Sequence, residues 1–122
     1  MKDILILGAG TAGTMMANKL YKNLNKDLWR ITIIDKDEVH YYQPGFLFIP
    51  FGIYKPEDVV KPKRKFLPEG VDFRINEAAK IKAESNLVIM QDGSMIPYDI
   101  LIIATGTIPV PEETEGLKDK LW

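Results

Sequence analysis

Cysteine is absent from this chain of 122 residues, and histidine occurs only once, at position 40. Without a thiol, the segment cannot form a disulfide, supply a thiolate nucleophile or bind a metal through sulfur. One histidine and no cysteine also leave no metal-ligand spacing and no Ser/His/Asp arrangement. We therefore expect no metal site and no nucleophilic catalysis from these side chains. We expect His40 to be a packed or surface residue.

A dominant charge and a long apolar run are missing as well. The 16 basic residues balance 17 acidic ones to a net charge of −1, which gives no electrostatic reason to expect nucleic acid or an anionic membrane as a partner. The apolar stretches are short and broken by glycine or proline, so no transmembrane helix is expected in this segment. No secretory signal precedes the first predicted strand at Ile4. We expect a protein that is cytoplasmic or peripheral on the membrane.

A glycine-rich motif follows the first apolar strand, which is predicted over residues 4–7. Gly8, Gly10 and Gly13 have the spacing G-x-G-x-x-G. In such a loop the first glycine permits a tight turn, the second lets the backbone touch a pyrophosphate, and the third lets the following helix pack closely. That helix is predicted over residues 14–24, and its N-terminus favours negative charge. Its apolar face is expected to comprise Met15, Met16, Leu20 and Leu24.

An acidic residue ends the second apolar run. Residues 31–34 are followed by Asp35, which comes 22 residues after Gly13, the place where a βαβ unit carries its ribose-binding acid. The Asp35 carboxylate is expected to accept hydrogen bonds from both ribose hydroxyls and to repel a 2′-phosphate, a repulsion that Lys36 weakens. Strand, glycines, helix and acid together favour a dinucleotide site over an ordinary glycine turn.

The segment after Asp35 lacks the pattern of a regular crossover helix. Residues 39–54 are rich in aromatics and interrupted by proline, and a short helix is predicted over residues 55–60. The basic run at residues 61–65 is expected to be a solvated connector. Three aromatic residues of this segment are expected to line a core rather than a quinone site: Phe46, Phe48 and Phe51.

The last third of the chain has the pattern of short strands. Residues 71–98 are predicted to form an antiparallel meander, in which the strand at residues 71–75 continues into residues 79–81 and Asp92-Gly93 makes a hairpin turn. Residues 98–106 read as a strand buried on both faces of a parallel sheet. That strand ends in Ala104-Thr105-Gly106.

In this order, the glycine loop, the acid, the antiparallel segment and the Ala-Thr-Gly strand end resemble the two-dinucleotide-binding-domain flavoprotein superfamily, over essentially the whole chain. In that superfamily the first domain holds FAD. The resemblance implies an α/β fold, a Rossmann-like FAD-binding domain with a parallel sheet and an antiparallel β-meander insertion. It also implies that residues 1–122 are the N-terminal part of that domain, with the rest of the enzyme outside this chain.

The same resemblance implies which residues contact FAD. The adenosine ribose is expected at Asp35, with Lys36 beside the ribose or adenine and Ala78 at the adenine. Thr105 and Gly106 are expected to contact the cofactor where the chain leaves the sheet. Pro44 belongs to a turn expected close to the flavin. The pyrophosphate is expected on the glycine loop, at Gly8, Ala9, Gly10, Thr11, Ala12 and Gly13.

Within this superfamily, residues 41–45 (Tyr-Tyr-Gln-Pro-Gly), 51–58 and 108–117 resemble the branch of the sulfide:quinone oxidoreductases and flavocytochrome-c sulfide dehydrogenases. Sulfide:quinone oxidoreductases pass electrons from sulfide through redox cysteines to FAD and then to a membrane quinone. The resemblance therefore implies sulfide and quinone as substrates of the full-length enzyme. Because the family's catalytic cysteines lie outside this segment, the segment alone is expected to be inactive.

Two alternatives remain open. One is an NADH-dependent flavoprotein, such as a quinone reductase of the NADH dehydrogenase type. The other is a non-catalytic nucleotide-binding module that senses redox state or scaffolds a partner. Disulfide chemistry of the glutathione reductase kind is disfavoured, because residues 41–51 contain no cysteine. Apolar residues near the end of the chain, Leu117, Leu121 and Trp122, predict self-association or packing against a missing portion.

Overall fold

A computed structural model describes residues 1–119, which form one α-helix and nine strands. Leu121 and Trp122 lie outside the described residues. Short 3₁₀ turns connect several of the strands. The elements are β1 (Lys2–Leu7), α1 (Thr11–Asn23), β2 (Trp29–Asp35), β3 (Val39–Tyr41), β4 (Val60–Pro62), β5 (Asp72–Ile75), β6 (Ala78–Lys82), β7 (Leu87–Met90), β8 (Met95–Pro97) and β9 (Ile100–Ile103).

A four-stranded parallel sheet forms the centre of the fold, in the order β5, β2, β1, β9. β1 pairs with both β2 and β9, so that Leu7 lies level with Ile34 on one side and with Ile103 on the other. All four strands therefore end at the same edge of the sheet. This confirms the predicted α/β fold, a Rossmann-like parallel sheet with an antiparallel insertion.

Two apolar layers cover the faces of this sheet. On one face, Ile4, Ile6 and Ile33 pack with Ala17 of α1. On the other, alternate residues of the same strands pack against Val88 and Met90 of β7. Because both faces are buried, β1 and β2 are continuous apolar runs rather than alternating ones. The antiparallel sheet β6-β7-β8 thus occupies the place that a second layer of helices takes in a plain doubly wound fold.

The apolar face predicted for α1 is partly wrong. Met15 and Met16 are 67% and 39% exposed, whereas Gly13 and Ala17 are buried against the sheet. The helix approaches the sheet through its smallest residues, so the long methionine side chains are turned to solvent. Leu20 and Leu24 pack against the core as predicted.

The predicted meander begins too early. β5 belongs to the parallel sheet beside β2, and residues 79–81 do not continue it but form part of β6 in the other sheet. The strand at residues 71–75 shows alternation because it is an edge strand, half covered rather than part of a hairpin. The turn after β7 is as expected, with Gly93 at a φ of +83°.

β9 is also less covered than its sequence suggests. Within residues 1–119 it is the other edge strand of the sheet, and Ile103 is 61% exposed. The expectation that it is buried on both faces is therefore wrong for the described residues.

The segment between β2 and β5 contains an antiparallel pair instead of a crossover helix. β3 pairs with β4, and the turn between them includes the predicted short helix as a 3₁₀ turn, Pro56–Val59, where the Lys55 amide donates to Asp58 Oδ2 at 2.8 Å. His40 is half-buried and packs edge-on against Phe66, as predicted for a packed residue. The core role predicted for Phe46, Phe48 and Phe51 is wrong, because all three are exposed. Self-association through exposed apolar residues stays a prediction.

Candidate functional site

The loop between β1 and α1 is shaped by two glycines that contact the chain's own backbone. Gly8 has a φ of +99°, and a Cβ placed on it would strike the carbonyl group of Ala104. A Cβ on Gly13 would strike the carbonyl oxygen of Gly8 and lie 2.9 Å from its carbon. These two glycines therefore allow β1, β9 and α1 to approach one another closely.

Gly10 is different. Its φ of −75° and ψ of −160° are extended values that any residue adopts. A Cβ placed on it would meet no atom of the described residues within 4 Å. Gly10 is the N-cap of α1, which has no side-chain cap and no acidic residue in its first turn. A helix begins here with free N–H groups and open space in front of them, the arrangement that receives an anion.

A cavity of about 220 Å³ opens at the carboxyl edge of the parallel sheet. Cavities that enclose a whole small-molecule ligand measure roughly 300–1,000 Å³, so this one suits part of a larger molecule. Its position beyond the carboxyl ends of the strands is where open α/β sheets bind ligands. The lining residues are Leu7, Gly8, Ile34, Asp35, Lys36, Asn76, Glu77, Ala78, Thr105 and Ile108.

Asp35 joins three segments at this edge. Its Oδ2 accepts from the Ala9 amide at 2.7 Å and from the Lys63 ammonium at 2.8 Å, while its Oδ1 accepts from the Asp37 amide at 2.9 Å. Burial raises the pKa of Asp35, but the hydrogen bonds from Lys63, Asp37 and Ala9 outweigh it and hold the pKa below its ordinary value. The carboxylate therefore stays ionised at neutral pH.

Lys63 contradicts the expectation of a solvated connector at residues 61–65. Its side chain is only 8% exposed, while Lys61, Arg64 and Lys65 are exposed. Lysine is rarely this buried unless it is paired. The sequence offered no signal that would single out one lysine in a basic run, because the carboxylate that pairs with it lies 28 residues earlier.

The structure brings together five of the residues predicted to contact a cofactor. Gly8, Asp35, Lys36, Ala78 and Thr105 line the cavity. Ala9, Gly10, Thr11, Ala12 and Gly13 form the adjoining loop and the first turn of α1. Pro44, in the 3₁₀ turn Gln43–Phe48, and Gly106, at a φ of +68°, are not among the lining residues.

Sequence reasoning missed Asn76 and Glu77, which line the cavity beside Ala78. The Asn76 amide donates to the Asp35 carbonyl at 3.0 Å and so holds the end of β5 against the end of β2. Their signal was present, because they directly follow a strand of the parallel sheet. Because sequence reasoning assigned that strand, β5, to the meander, it did not identify the two residues after it as residues at the carboxyl edge of the parallel sheet.

Residues 1–119 hold no group of three or more side chains suited to bind a metal ion. The single α-helix in this range is neither long nor apolar enough to cross a membrane.

Residues 2–121 match the protein family described as pyridine nucleotide-disulphide oxidoreductase. The chain is 34% identical over 119 residues to the mitochondrial sulfide:quinone oxidoreductase of Dictyostelium discoideum, covering 97% of this chain and 26% of that protein. It is 33% identical over 119 residues to the type II NADH:quinone oxidoreductase of Staphylococcus epidermidis, covering 97% and 29%. The solved sulfide:quinone oxidoreductase of Aquifex aeolicus superposes with a TM-score of 0.76 at 30% identity, covering 90% and 25%.

The chain thus spans between a quarter and a third of the length of these relatives. Its identities to the Dictyostelium sulfide:quinone oxidoreductase and to the Staphylococcus epidermidis type II NADH:quinone oxidoreductase differ by a single percentage point.

Proposed function

Because the chain belongs to the pyridine nucleotide-disulphide oxidoreductase family, we propose that it is the FAD-binding N-terminal part of a longer flavoprotein oxidoreductase. The observation that carries this proposal is the free space at Gly10 in front of the uncapped N-terminus of α1. Nothing in the described chain fills the space beside Gly10, and a glycine at this place in a dinucleotide-binding loop lets the backbone approach the pyrophosphate.

The residues around the loop fit a dinucleotide. Gly10, Thr11 and Ala12 would hold the pyrophosphate through backbone N–H groups and the helix dipole. The Ala9 amide is already bonded to Asp35, so Ala9 would contribute by shaping the loop together with Gly8 and Gly13. No side chain of the first turn competes for these amides, because α1 carries no acidic residue there.

The cavity at the carboxyl edge fits the adenosine half of the same molecule. Asp35 would contact the ribose, Lys36 would lie beside the ribose or the adenine, and Ala78 would contact the adenine. Thr105 follows β9, which lies on the other side of β1 from β2 and Asp35. We propose that Thr105, Gly106 and Pro44 contact the rest of the cofactor. When bound, FAD supplies two-electron transfer between a donor and an acceptor.

For the donor and acceptor of the full-length protein we propose sulfide and a quinone, which also makes the protein peripheral on the membrane. Two observations support this choice: the sequence Tyr-Tyr-Gln-Pro-Gly at residues 41–45, which begins at the last residue of β3, and the similarity to two sulfide:quinone oxidoreductases. Thiol chemistry on sulfide requires cysteines, and the proposal places them outside these 122 residues. The second candidate is NADH as donor, which the similarity to a type II NADH:quinone oxidoreductase favours.

Turnover by the purified full-length protein tests this choice. With a soluble quinone as acceptor, sulfide is expected to reduce the bound flavin and to sustain quinone reduction well above the uncatalysed rate, whereas NADH is expected to do neither. The same assay without enzyme and with heat-denatured enzyme measures the background reaction of sulfide with quinone. Reduction by NADH alone would establish the second candidate. Reduction by neither donor would favour a non-catalytic nucleotide-binding module.

A further inference from the structure

The ion pair between Lys63 and Asp35 is the least expected feature of the site. The two side chains are 8% and 12% exposed, and Lys63 Nζ lies 2.8 Å from Asp35 Oδ2. An ammonium and a carboxylate removed from water are costly unless they neutralise each other and keep further hydrogen bonds. Because burying a lysine here has this desolvation cost, we expect Lys63 to have a role that an apolar residue could not fill.

The position of Lys63 is fixed by elements outside the glycine loop. β4 pairs with β3 so that Pro62 lies opposite Val39, and the Lys63 amide donates to the Glu38 carbonyl at 2.9 Å. Lys63 then opens the 3₁₀ turn Lys63–Phe66. The antiparallel pair after β2 thus delivers a cation to the end of β2.

Lys63 bonds to Asp35 but lies outside the cavity lining. Asp35 lines the cavity, whereas Lys63 is not among the lining residues. A ligand in the cavity would therefore contact Asp35 and not Lys63. Any influence of Lys63 on that ligand acts through Asp35.

The hydrogen bonds of Asp35 leave it little free capacity. A carboxylate offers about four acceptor sites, two on each oxygen. Oδ2 already accepts from Ala9 and from Lys63, and Oδ1 accepts from Asp37. One acceptor site remains, and it is on Oδ1.

We propose that Lys63 is a positioning residue for ribose recognition, which occupies Asp35 Oδ2 and thereby leaves Oδ1 as the acceptor for a single ribose hydroxyl. This inference rests on the proposed function, because it takes the cavity to hold an adenosine ribose. It replaces the expectation that Asp35 accepts from both hydroxyls. The lowered pKa of Asp35 agrees with this arrangement, since the ammonium is one of its causes.

The measured quantity is the preference for ADP over its deoxy analogues. If Lys63 only stabilised the fold, a substitution of Lys63 would leave this preference unchanged. Flavin is removed from the full-length protein, and ADP, 2′-deoxy-ADP and 3′-deoxy-ADP are titrated calorimetrically. The parent protein is expected to bind ADP about tenfold more tightly than one deoxy analogue, because that analogue lacks one hydrogen bond to a charged acceptor. It is expected to bind the other deoxy analogue about as tightly as ADP. This measurement does not depend on the folding of any variant.

Lys63→Met removes the ammonium and keeps an unbranched side chain that is one heavy atom shorter. It is expected to reduce that preference to roughly twofold or less, because Asp35 Oδ2 loses its hydrogen bond from Lys63. Lys65→Met is the matched control, since Lys65 is an exposed lysine of the same turn, and it is expected to keep the parent preference. In an Asp35→Ala background, Lys63→Met is expected to change the preference no further.

Three results would overturn the inference. The first is a Lys63→Met protein that keeps the parent preference, and the second is a parent that discriminates equally against both analogues. Either would leave the proposed function standing. The third is a parent that binds no ADP: if it binds FAD again the proposed function stands, and if it binds neither, the proposed function is overturned together with the inference.

Discussion

Gly10→Val in the full-length protein is expected to abolish FAD binding while leaving the fold intact. The valine side chain would occupy the open space in front of α1, where the proposed pyrophosphate meets the backbone. Loss of those contacts is expected to weaken binding by at least about a hundredfold, or roughly 2.7 kcal/mol. Because Gly10 has extended dihedral angles and no neighbour at its Cβ position among the described residues, the fold is expected to lose less than about 1 kcal/mol of stability.

Flavin content after purification and the far-ultraviolet circular dichroism spectrum measure the two halves of this prediction. Gly52→Val is a matched control for introducing valine at a glycine, because its Cβ position is also open among the described residues. It is expected to retain flavin, although its φ of +69° makes some loss of stability expected. A Gly10→Val protein with full flavin occupancy would show that the loop does not hold the cofactor.

Gly13→Ala is expected to have the opposite effect and to destabilise the fold itself. Glycine inside a helix is less favourable than alanine by about 0.5–1 kcal/mol, so helix propensity alone predicts stabilisation. Packing predicts the reverse, because the added Cβ would strike the Gly8 carbonyl oxygen and α1 would have to move away from β1. We expect packing to dominate by about 2 kcal/mol or more, since the obstacle is backbone and cannot change its rotamer.

Urea denaturation of the flavin-free full-length protein, followed by circular dichroism, measures this effect without the stabilisation that a bound cofactor adds. Gly10→Ala is the matched control, as the same methyl group is added three residues earlier where nothing described lies within 4 Å. Its free energy of unfolding is expected to fall by no more than about 1 kcal/mol, because alanine is a poorer N-cap than glycine. A Gly13→Ala protein as stable as the Gly10→Ala protein would contradict the close approach of α1 to β1.

The first βαβ unit was predictable because its signals are local and agree with one another. The apolar runs that became β1 and β2, the spacing of Gly8, Gly10 and Gly13, and Asp35 at the end of β2 all specify the same unit. The different tasks of the three glycines also follow from their order in the loop, and the contacts of Gly8 and Gly13 agree with it.

The strands after residue 70 were predictable only in part. β5 and β6 are both short, and two residues separate them. A period-2 pattern shows that such a strand is half covered, but it does not show which sheet the strand joins. The partner of β5 is β2, and the two strands are separated in the sequence by the β3-β4 pair and its 3₁₀ turns. The assignment of β5 to the parallel sheet therefore required tertiary information.

Lys63 was not predictable for a related reason. Its neighbours Arg64 and Lys65 are exposed and have the same charge. What distinguishes Lys63 is the pairing of β3 with β4, which turns one lysine of the run towards Asp35. Buried ion pairs between distant segments leave no periodic signal in either segment.

The flavin content of the purified full-length protein tests the central claim most directly. The absorbance spectrum of the native protein and chromatography of the cofactor released on denaturation identify and count it. We expect a yellow protein that releases about one FAD per chain and neither FMN nor NAD. A colourless protein that takes up no FAD but binds NAD would contradict the claim.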